Sequence, residues 1–140
     1  MSAYLDASVI LPTLVKEAGS DRIDQFLVQT SETFVVSEFA AAEVASALSR
    51  LVRTGRLDAG DAVSRLTDFD VWRASATTDY EFRSADIRLA NVFVRRFDLM
   101  LRAPDALHAA ACQNANLLLV TMDRRLARAA EALGVSTHLL

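Results

Sequence analysis

Apolar and polar positions change their period several times along the chain, and each change marks an element. Ala3 to Leu5 is a short apolar stretch closed by Asp6, which suits a buried strand. Ile10 to Glu17 then reads as a helical turn or two stopped near Gly19. Ser20 reads as the N-cap of a helix over Asp21 to Gln29, with Ile23, Phe26 and Leu27 on one face. The β-rich Thr33 to Val36 follows as a second strand. Ser37 then caps a long helix from Glu38 to Arg53, in which Val44, Leu48, Leu51 and Val52 recur at helical spacing before Gly55 stops it. Asp58 caps a fourth helix whose Ala62, Leu66 and Phe69 form a stripe running towards Trp72, and Val71 to Thr77 reads as a short extended piece. Tyr80 to Phe97 reads as a helix with Ile87, Val94 and Phe97 on one side and Arg83, Arg88, Arg95 and Arg96 on the other. Pro104 opens the next helix, Asp105 to Gln113, where its missing N–H is not needed. Leu117 to Thr121 is the clearest strand. It ends at Asp123, a helix over Arg124 to Leu133 follows, Gly134 stops it, and Val135 to Thr137 is a last edge strand. Strands separated by helices predict an α/β fold whose central, mostly parallel sheet of four or five strands is covered on both faces.

Composition narrows this picture. With 52% apolar and 24% charged residues, four Gly and two Pro, the 140-residue chain reads as one ordered domain spanning residues 1–140. Asp6 and Lys16 bracket the first apolar run, so no leader pattern opens the sequence, and no segment reaches the roughly 20 apolar residues of a membrane helix. We therefore expect a soluble, cytoplasmic protein with no membrane partner. Cys112 is the only cysteine, which rules out an internal disulfide and a Cys-based zinc site within the chain and reads as core. The net charge of −3 argues at first sight against a nucleic-acid partner. Distribution matters more than the sum, because acids that bind divalent ions do not repel phosphate. Of the 15 basic residues only Lys16 is lysine, and Arg grips phosphate bidentately.

Ligands of such sheets collect outside the carboxyl ends of the strands. Asp6 follows the first strand and Asp123 follows the Leu117 to Thr121 strand. Asp105 lies in the first turn of its helix, where the terminus tolerates an anion. Glu43 sits among small apolar residues of the long helix. Taken singly, Asp105 is a helix-start residue, Asp123 a helix cap, Asp6 a turn residue and Glu43 an exposed helix position. Taken together the four favour a site. Carboxylates gathered in one cleft raise one another's pKa unless something neutralises them. Oxygen-only ligation suits Mg²⁺ or Mn²⁺, and such ions support phosphodiester hydrolysis by activating water.

Four stretches in order carry a resemblance: Tyr4-Leu5-Asp6-Ala7-Ser8, Ala42-Glu43-Val44 with Leu48, Pro104-Asp105-Ala106-Leu107-His108-Ala109-Ala110, and Leu119-Val120-Thr121-Met122-Asp123. The sequence resembles the PIN-domain family, and within it the VapC-type toxins, across nearly its whole length. The resemblance implies a PIN-like three-layer fold and Mg²⁺- or Mn²⁺-dependent endoribonuclease activity. It also implies homodimerisation and inhibition by a cognate VapB-like antitoxin. Carried over, Asp6, Glu43, Asp105 and Asp123 form the catalytic and metal-binding acidic site, with Ser8 and Thr121 as hydroxyls near the metal. How many acids ligate directly and how many act through water stays open.

His108 shares a helical face with Asp105 and reads as packing or as a polar bond behind the site. His138 carries no functional argument. Arg124 and Arg125 either reach RNA phosphates at the rim or are solvated residues opening a helix. Phe93, Phe97 and the Leu66, Phe69, Trp72 stripe read as core, and the middle helices are where a dimer patch is expected. A receiver-like Mg²⁺-binding signalling module is the rival from another class. It needs a lysine at the sheet edge and an acid doublet before Asp6, and the chain has neither there. A second alternative keeps the PIN fold but makes the protein mainly a binding partner, acting within an antitoxin complex on operator DNA.

Overall fold

The computed structural model describes residues 1–140. Five strands, β1 (Ala3–Leu5), β2 (Phe34–Ser37), β3 (Thr77–Tyr80), β4 (Leu118–Thr121) and β5 (Thr137–Leu139), pair entirely in parallel in the order β3-β2-β1-β4-β5. Helices α1 (Ala7–Leu14), α2 (Ser20–Gln29), α3 (Glu38–Arg53), α4 (Ala59–Ala76), α5 (Ser84–Val94), α6 (Ala103–Ala115) and α7 (Arg124–Ala132) make the crossovers. No helix is long and apolar enough to cross a membrane.

The period-2 alternation of the strands divides the core into two layers. Ala3, Leu5, Val36 and Val120 point to the face covered by α1 to α4, where Val9, Ile10, Ile23, Val44 and Phe69 meet them. Tyr4, Val35 and Leu119 point to the opposite face, covered by α5, α6 and α7 through Phe93, Ala106, Ala109, Ala110, Leu126 and Ala130. The alanines of α6 let that helix lie close against the sheet. Cys112 is buried on the same helix, as the sequence suggests, and burial pushes its thiol well up from its ordinary value.

Several boundaries differ from those the sequence predicts. Helix α1 starts at Ala7 rather than Ile10, because Asp6 caps it by accepting from the Ser8 N–H. Gly19, not Ser20, occupies the N-cap of α2 at φ 93°. Ser20 instead donates to the Pro12 carbonyl and accepts from the Glu17 N–H, fastening α2 to the end of α1. The extended piece expected over Val71 to Thr77 is helical through Ala76, as the last part of α4, and only Thr77 belongs to the strand that follows. Tyr80 consequently ends β3 instead of starting a helix, and α5 spans only Ser84–Val94. Phe97, read as core, is 83% exposed in a 3₁₀ turn (Phe97–Leu99). The edge strand slides from Val135 to Thr137 onward, because Val135 is taken into the turn that ends α7, bonding the Ala130 carbonyl.

Asp86 sets the start of α5, a feature no sequence pattern marked. Its carboxylate is fully buried and accepts from the Arg83 N–H (2.8 Å), the Tyr80 hydroxyl (2.9 Å) and the Asn114 amide (2.8 Å), tying β3, α5 and α6 together. Burial would push this carboxyl up. The three donors, with the Arg83 guanidinium nearby, hold it below the ordinary carboxylate range. A depressed folded pKa gives stability that is complete above the unfolded value and lost as pH falls through the folded one. Asp86→Ala should therefore cost about 2–3 kcal/mol in urea unfolding at pH 7. Its deficit relative to the unmodified protein should shrink below about pH 4; an equal deficit at pH 3 and pH 7 would show that charge is not what matters there.

Candidate active site

The strand order reverses beside β1, whose chain continues through β2 and β3 on one side while β4 and β5 lie on the other. Crossovers leaving β1 and β4 depart to opposite faces at such a switch point and open a crevice at the strands' carboxyl ends. Asp6 leaves β1 into that crevice, and Thr121 and Asp123 leave β4 beside it.

Asp6 is 4% exposed. Its Oδ1 accepts from the Ser8 N–H (3.1 Å) and the Ser8 hydroxyl (2.5 Å), and its Oδ2 accepts from the Thr121 hydroxyl (2.6 Å). The Ser8 and Thr121 oxygens accept in turn from the Met122 N–H (2.9 Å) and the Asp123 N–H (3.0 Å). Each hydroxyl has one proton, and both are directed to Asp6. The 3.2 Å approach between Ser8 Oγ and Thr121 Oγ1 is therefore a contact of two acceptors. Burial pushes the Asp6 carboxyl up, against the hydrogen bonds from Ser8 and Thr121.

Asp123 is the N-cap of α7, with Oδ1 accepting from the Arg125 N–H (2.8 Å) and the Leu126 N–H (3.2 Å). Asp105 lies in the first turn of α6, one residue after Pro104. Glu43, half-buried on α3, meets His108 Nε2 at 2.5 Å. His108 is buried, and its Nδ1 lies 2.7 Å from the Tyr4 hydroxyl, itself 2.7 Å from Ser37 Oγ. His108 thus joins Glu43 at one ring nitrogen to Tyr4 at the other, and Tyr4 to Ser37, whose Oγ accepts the Ala40 N–H. Burial pushes the Tyr4 hydroxyl well up, so it keeps its proton. Sequence reasoning named Tyr4 and Ser37 only as a motif residue and a helix cap. Two hydroxyls and an imidazole on three separate elements gave no spacing signal that joined them.

Glu43, Asp105 and Asp123 line one cavity of about 320 Å³, with Arg102, Arg125 and the Leu99 to Leu101 turn at its sides. Asp6 is not among its lining residues; the Thr121 hydroxyl, which donates to Asp6 and accepts the Asp123 N–H, joins it to the cavity wall. Arg124 is exposed at the start of α7 outside the cavity lining, so of the two arginines proposed for RNA only Arg125 borders the acids. Arg102 was not singled out from the sequence, where it stands as an isolated basic residue before a proline. No three Asp, Glu, His or Cys side chains are drawn together tightly enough to make a ready-formed metal-ligand cluster. The donor chemistry nevertheless fits a hard divalent cation, since every charged donor around the cavity is a carboxylate oxygen.

An all-parallel α/β sheet with carboxylates grouped at its switch point defines an acidic-site α/β protein. The PIN domain family model matches residues 3–132, and the chain belongs to the PIN-domain family, whose members are generally nucleases. A search among curated proteins gives no significant match. Among solved structures, the fold is similar to VapC20 from Mycobacterium tuberculosis, described as a sarcin-ricin loop cleaving toxin, at TM-score 0.73 and 14% identity over 96% of each chain. It is similar to FitAcB from Neisseria gonorrhoeae at TM-score 0.70 and 18% identity, covering 96% of this chain and 95% of that one. It is also similar to VapBC2 from Rickettsia felis bound to a DNA fragment from its promoter, at TM-score 0.70 and 14% identity over 100% of this chain and 99% of that one.

The electrostatics of the cavity can be tested without any substrate. Burial pushes the Asp105 carboxyl up, the Asp123 charge adds to this and Glu43 contributes in the same sense, against the Arg102 backbone and His108. A raised folded pKa means that ionised Asp105 costs stability at neutral pH, and that the cost disappears as pH falls through the folded pKa. In metal-free buffer Asp105→Asn should melt a few degrees higher than the unmodified protein at pH 7. The advantage should vanish below about pH 4, where both states are protonated. A lower Tm at pH 7 would mean that Asp105 is held by favourable bonds rather than repelled.

Proposed function

We propose that this protein is a metal-dependent endoribonuclease, acting as the toxin of a toxin–antitoxin pair, with residues 1–140 forming a single PIN-like domain. The observation that carries the reading is the placement of Glu43, Asp105 and Asp123 around one cavity at the switch-point crevice, with buried Asp6 joined to Asp123 through the Thr121 hydroxyl. The neighbours described as a toxin and as antitoxin complexes on DNA favour the biological setting.

Asp6, Glu43, Asp105 and Asp123 would hold Mg²⁺ or Mn²⁺, with one or two carboxylates bound directly and water and substrate phosphate completing the shell, as suits Mg²⁺. When bound, the ion supplies Lewis-acid activation of water and countercharge for the phosphate. Ser8 and Thr121 fix both oxygens of Asp6, and His108 fixes Glu43, so these two acids meet a ligand already oriented. Arg125 borders the cavity, and Arg124 precedes it on α7. Both are assigned to RNA phosphates, which they grip bidentately. We place the protein in the cytoplasm with RNA and a VapB-like antitoxin as partners.

The test is cleavage of a small-RNA pool by purified, antitoxin-free protein with Mg²⁺ or Mn²⁺ and with EDTA, alongside Asp6→Asn. Cleavage should require the metal and fall by about two orders of magnitude or more in the variant, with far-UV circular dichroism unchanged. No cleavage by folded protein with either metal would shift the reading to a PIN-fold partner that acts within an antitoxin complex on operator DNA.

Homodimerisation is assigned to the face of α5 and the turn after it. Ile87 is exposed there and, with Val94 and Leu107, lines an apolar cavity of about 500 Å³ between α5 and α6, and Phe97 and Met100 are exposed in the turn that follows. Large apolar side chains grouped on one face mark an interaction surface. Ile87→Glu should convert dimers to monomers in sedimentation at micromolar concentration; an unchanged dimer would place the interface elsewhere.

A further inference from the structure

Glu43 is shared by two cavities of opposite charge. On one side lies the acidic cavity of Asp105 and Asp123. On the other a larger groove of about 580 Å³ runs between the end of α1 and the outer face of α3, and Lys16, Arg50, Arg53 and Arg56 line it with Glu17 and Glu43. None of these four cations takes part in an ion pair within the protein. Four unpaired cations in one concave surface focus a positive potential and draw an anion from solution.

The groove is built, not a chance gathering of long side chains. Glu43 and Arg50 are seven residues apart, two turns along one face of α3, or about 10.5 Å at the helical rise. Arg53 donates to Ser49 Oγ at 2.7 Å. Arg56 is returned to the groove by the turn that ends α3. There Gly55 adopts φ 70°, its N–H bonds the Val52 carbonyl (3.1 Å), and the Arg56 N–H bonds the Leu51 carbonyl (2.8 Å). The apolar part of the lining is aliphatic, so the groove offers charge to phosphates and no rings to bases.

We propose that the groove between α1 and α3 holds the sugar–phosphate backbone of a single RNA strand, in continuity through Glu43 with the segment presented to the acidic cavity. This rests on the nuclease reading for the identity of the polymer, but it concerns binding and not cleavage. Arg50, Arg53, Arg56 and Lys16 contact phosphates beside the bond to be cut, and the contacts are tolerant of base sequence.

The experiment measures binding of a fluorescein-labelled oligouridine 12-mer by anisotropy in EDTA, across a salt series, for the unmodified protein, Arg50→Gln/Arg56→Gln, and Arg88→Gln/Arg95→Gln. The last pair removes the same charge from α5, away from the groove. Single-strand binding loses about 0.7 in the slope of log K against log salt for each phosphate contact removed. The groove variant should show a slope shallower by about 1.4 and bind about 25-fold more weakly at ~0.1 M salt, while the α5 variant keeps the original slope. Equal slopes in the two variants would overturn the proposal, as would absence of RNA binding by the unmodified protein. An acidic peptide, a glutamate 15-mer, is titrated in parallel; if it alone loses affinity in the groove variant, the groove belongs to a protein partner and the RNA assignment falls. Cleavage with metal is scored separately. RNA held in the groove without cleavage would sink the nuclease reading alone, and cleavage with an indifferent groove would sink this one alone.

Discussion

A carboxyl group buried at the carboxyl end of a strand needs hydrogen-bond partners to replace the water it has lost, and the organisation of the crevice follows from how Asp6 obtains them. Its donors come from the first turn of α1 and the last residue of β4. Each donating hydroxyl is itself an acceptor for a backbone N–H of the loop that leads into α7. One side chain thus ties together the departure of α1, the end of β4 and the path towards Asp123. Removing the Thr121 hydroxyl would leave both Asp6 Oδ2 and the Asp123 N–H without their partner, while removing that of Ser8 would strand the Met122 N–H and leave Oδ1 only the Ser8 N–H.

A second chain of hydrogen bonds reaches the same crevice from the other sheet layer. Tyr4 precedes Asp6 by two residues and so lies on the same face of β1 by alternation, yet it contributes to the α5–α7 layer through its ring and to α3 through Ser37. His108 completes the path from the cap of α3, Ser37, to Glu43, six residues further along. A buried imidazole that would be a liability among apolar neighbours is saturated at both nitrogens, and its use is to hold an acid whose own backbone is a full helix turn from the strands. Asp6 and Glu43 are thereby held by side chains from other elements. Asp105 and Asp123 have only helix-terminal positions to hold them.

Those helix-terminal positions are also what made the site readable. Asp6, Ser37 and Asp123 end strands or cap helices, and such residues announce themselves by sharp changes in apolar period. The strands, the long α3 and the edge of the sheet where acids collect could therefore be placed from sequence, and Glu43, whose helix offers no boundary, stood out by its small apolar neighbours before the family resemblance supported it. What escaped was set by contacts between distant elements. The start of α5 depends on Asp86 meeting Tyr80 and Asn114, and nothing in the run from Tyr80 to Phe97 marks a strand end and a turn before the helix. Phe97 reads as core by residue type, but it falls beyond the last turn of α5 and points away from both core layers. The return of Arg56 to the face of Arg50 depends on Gly55, which sequence could mark as a helix stop but not as a device for placing a charge.

Net charge is the wrong scale on which to judge a phosphate-binding surface, and this chain shows why. At −3 overall it would repel a polyanion if its charges were smeared evenly. They are instead sorted across Glu43, acids to the side of α6 and α7 and cations to the side of α1 and the end of α3. The two-turn separation along α3, about 10.5 Å, is close to the screening length of about 8 Å at physiological ionic strength. An approaching strand therefore feels the nearer group of charges much more than the sum. The acids can then be neutralised by a cation locally without cancelling the pull of the groove, and the arginines can hold phosphates without occupying the carboxylates. A site that must concentrate negative side chains and still accept a negative substrate needs such a division, and one helix face, continued by a single left-handed turn, is enough to provide it.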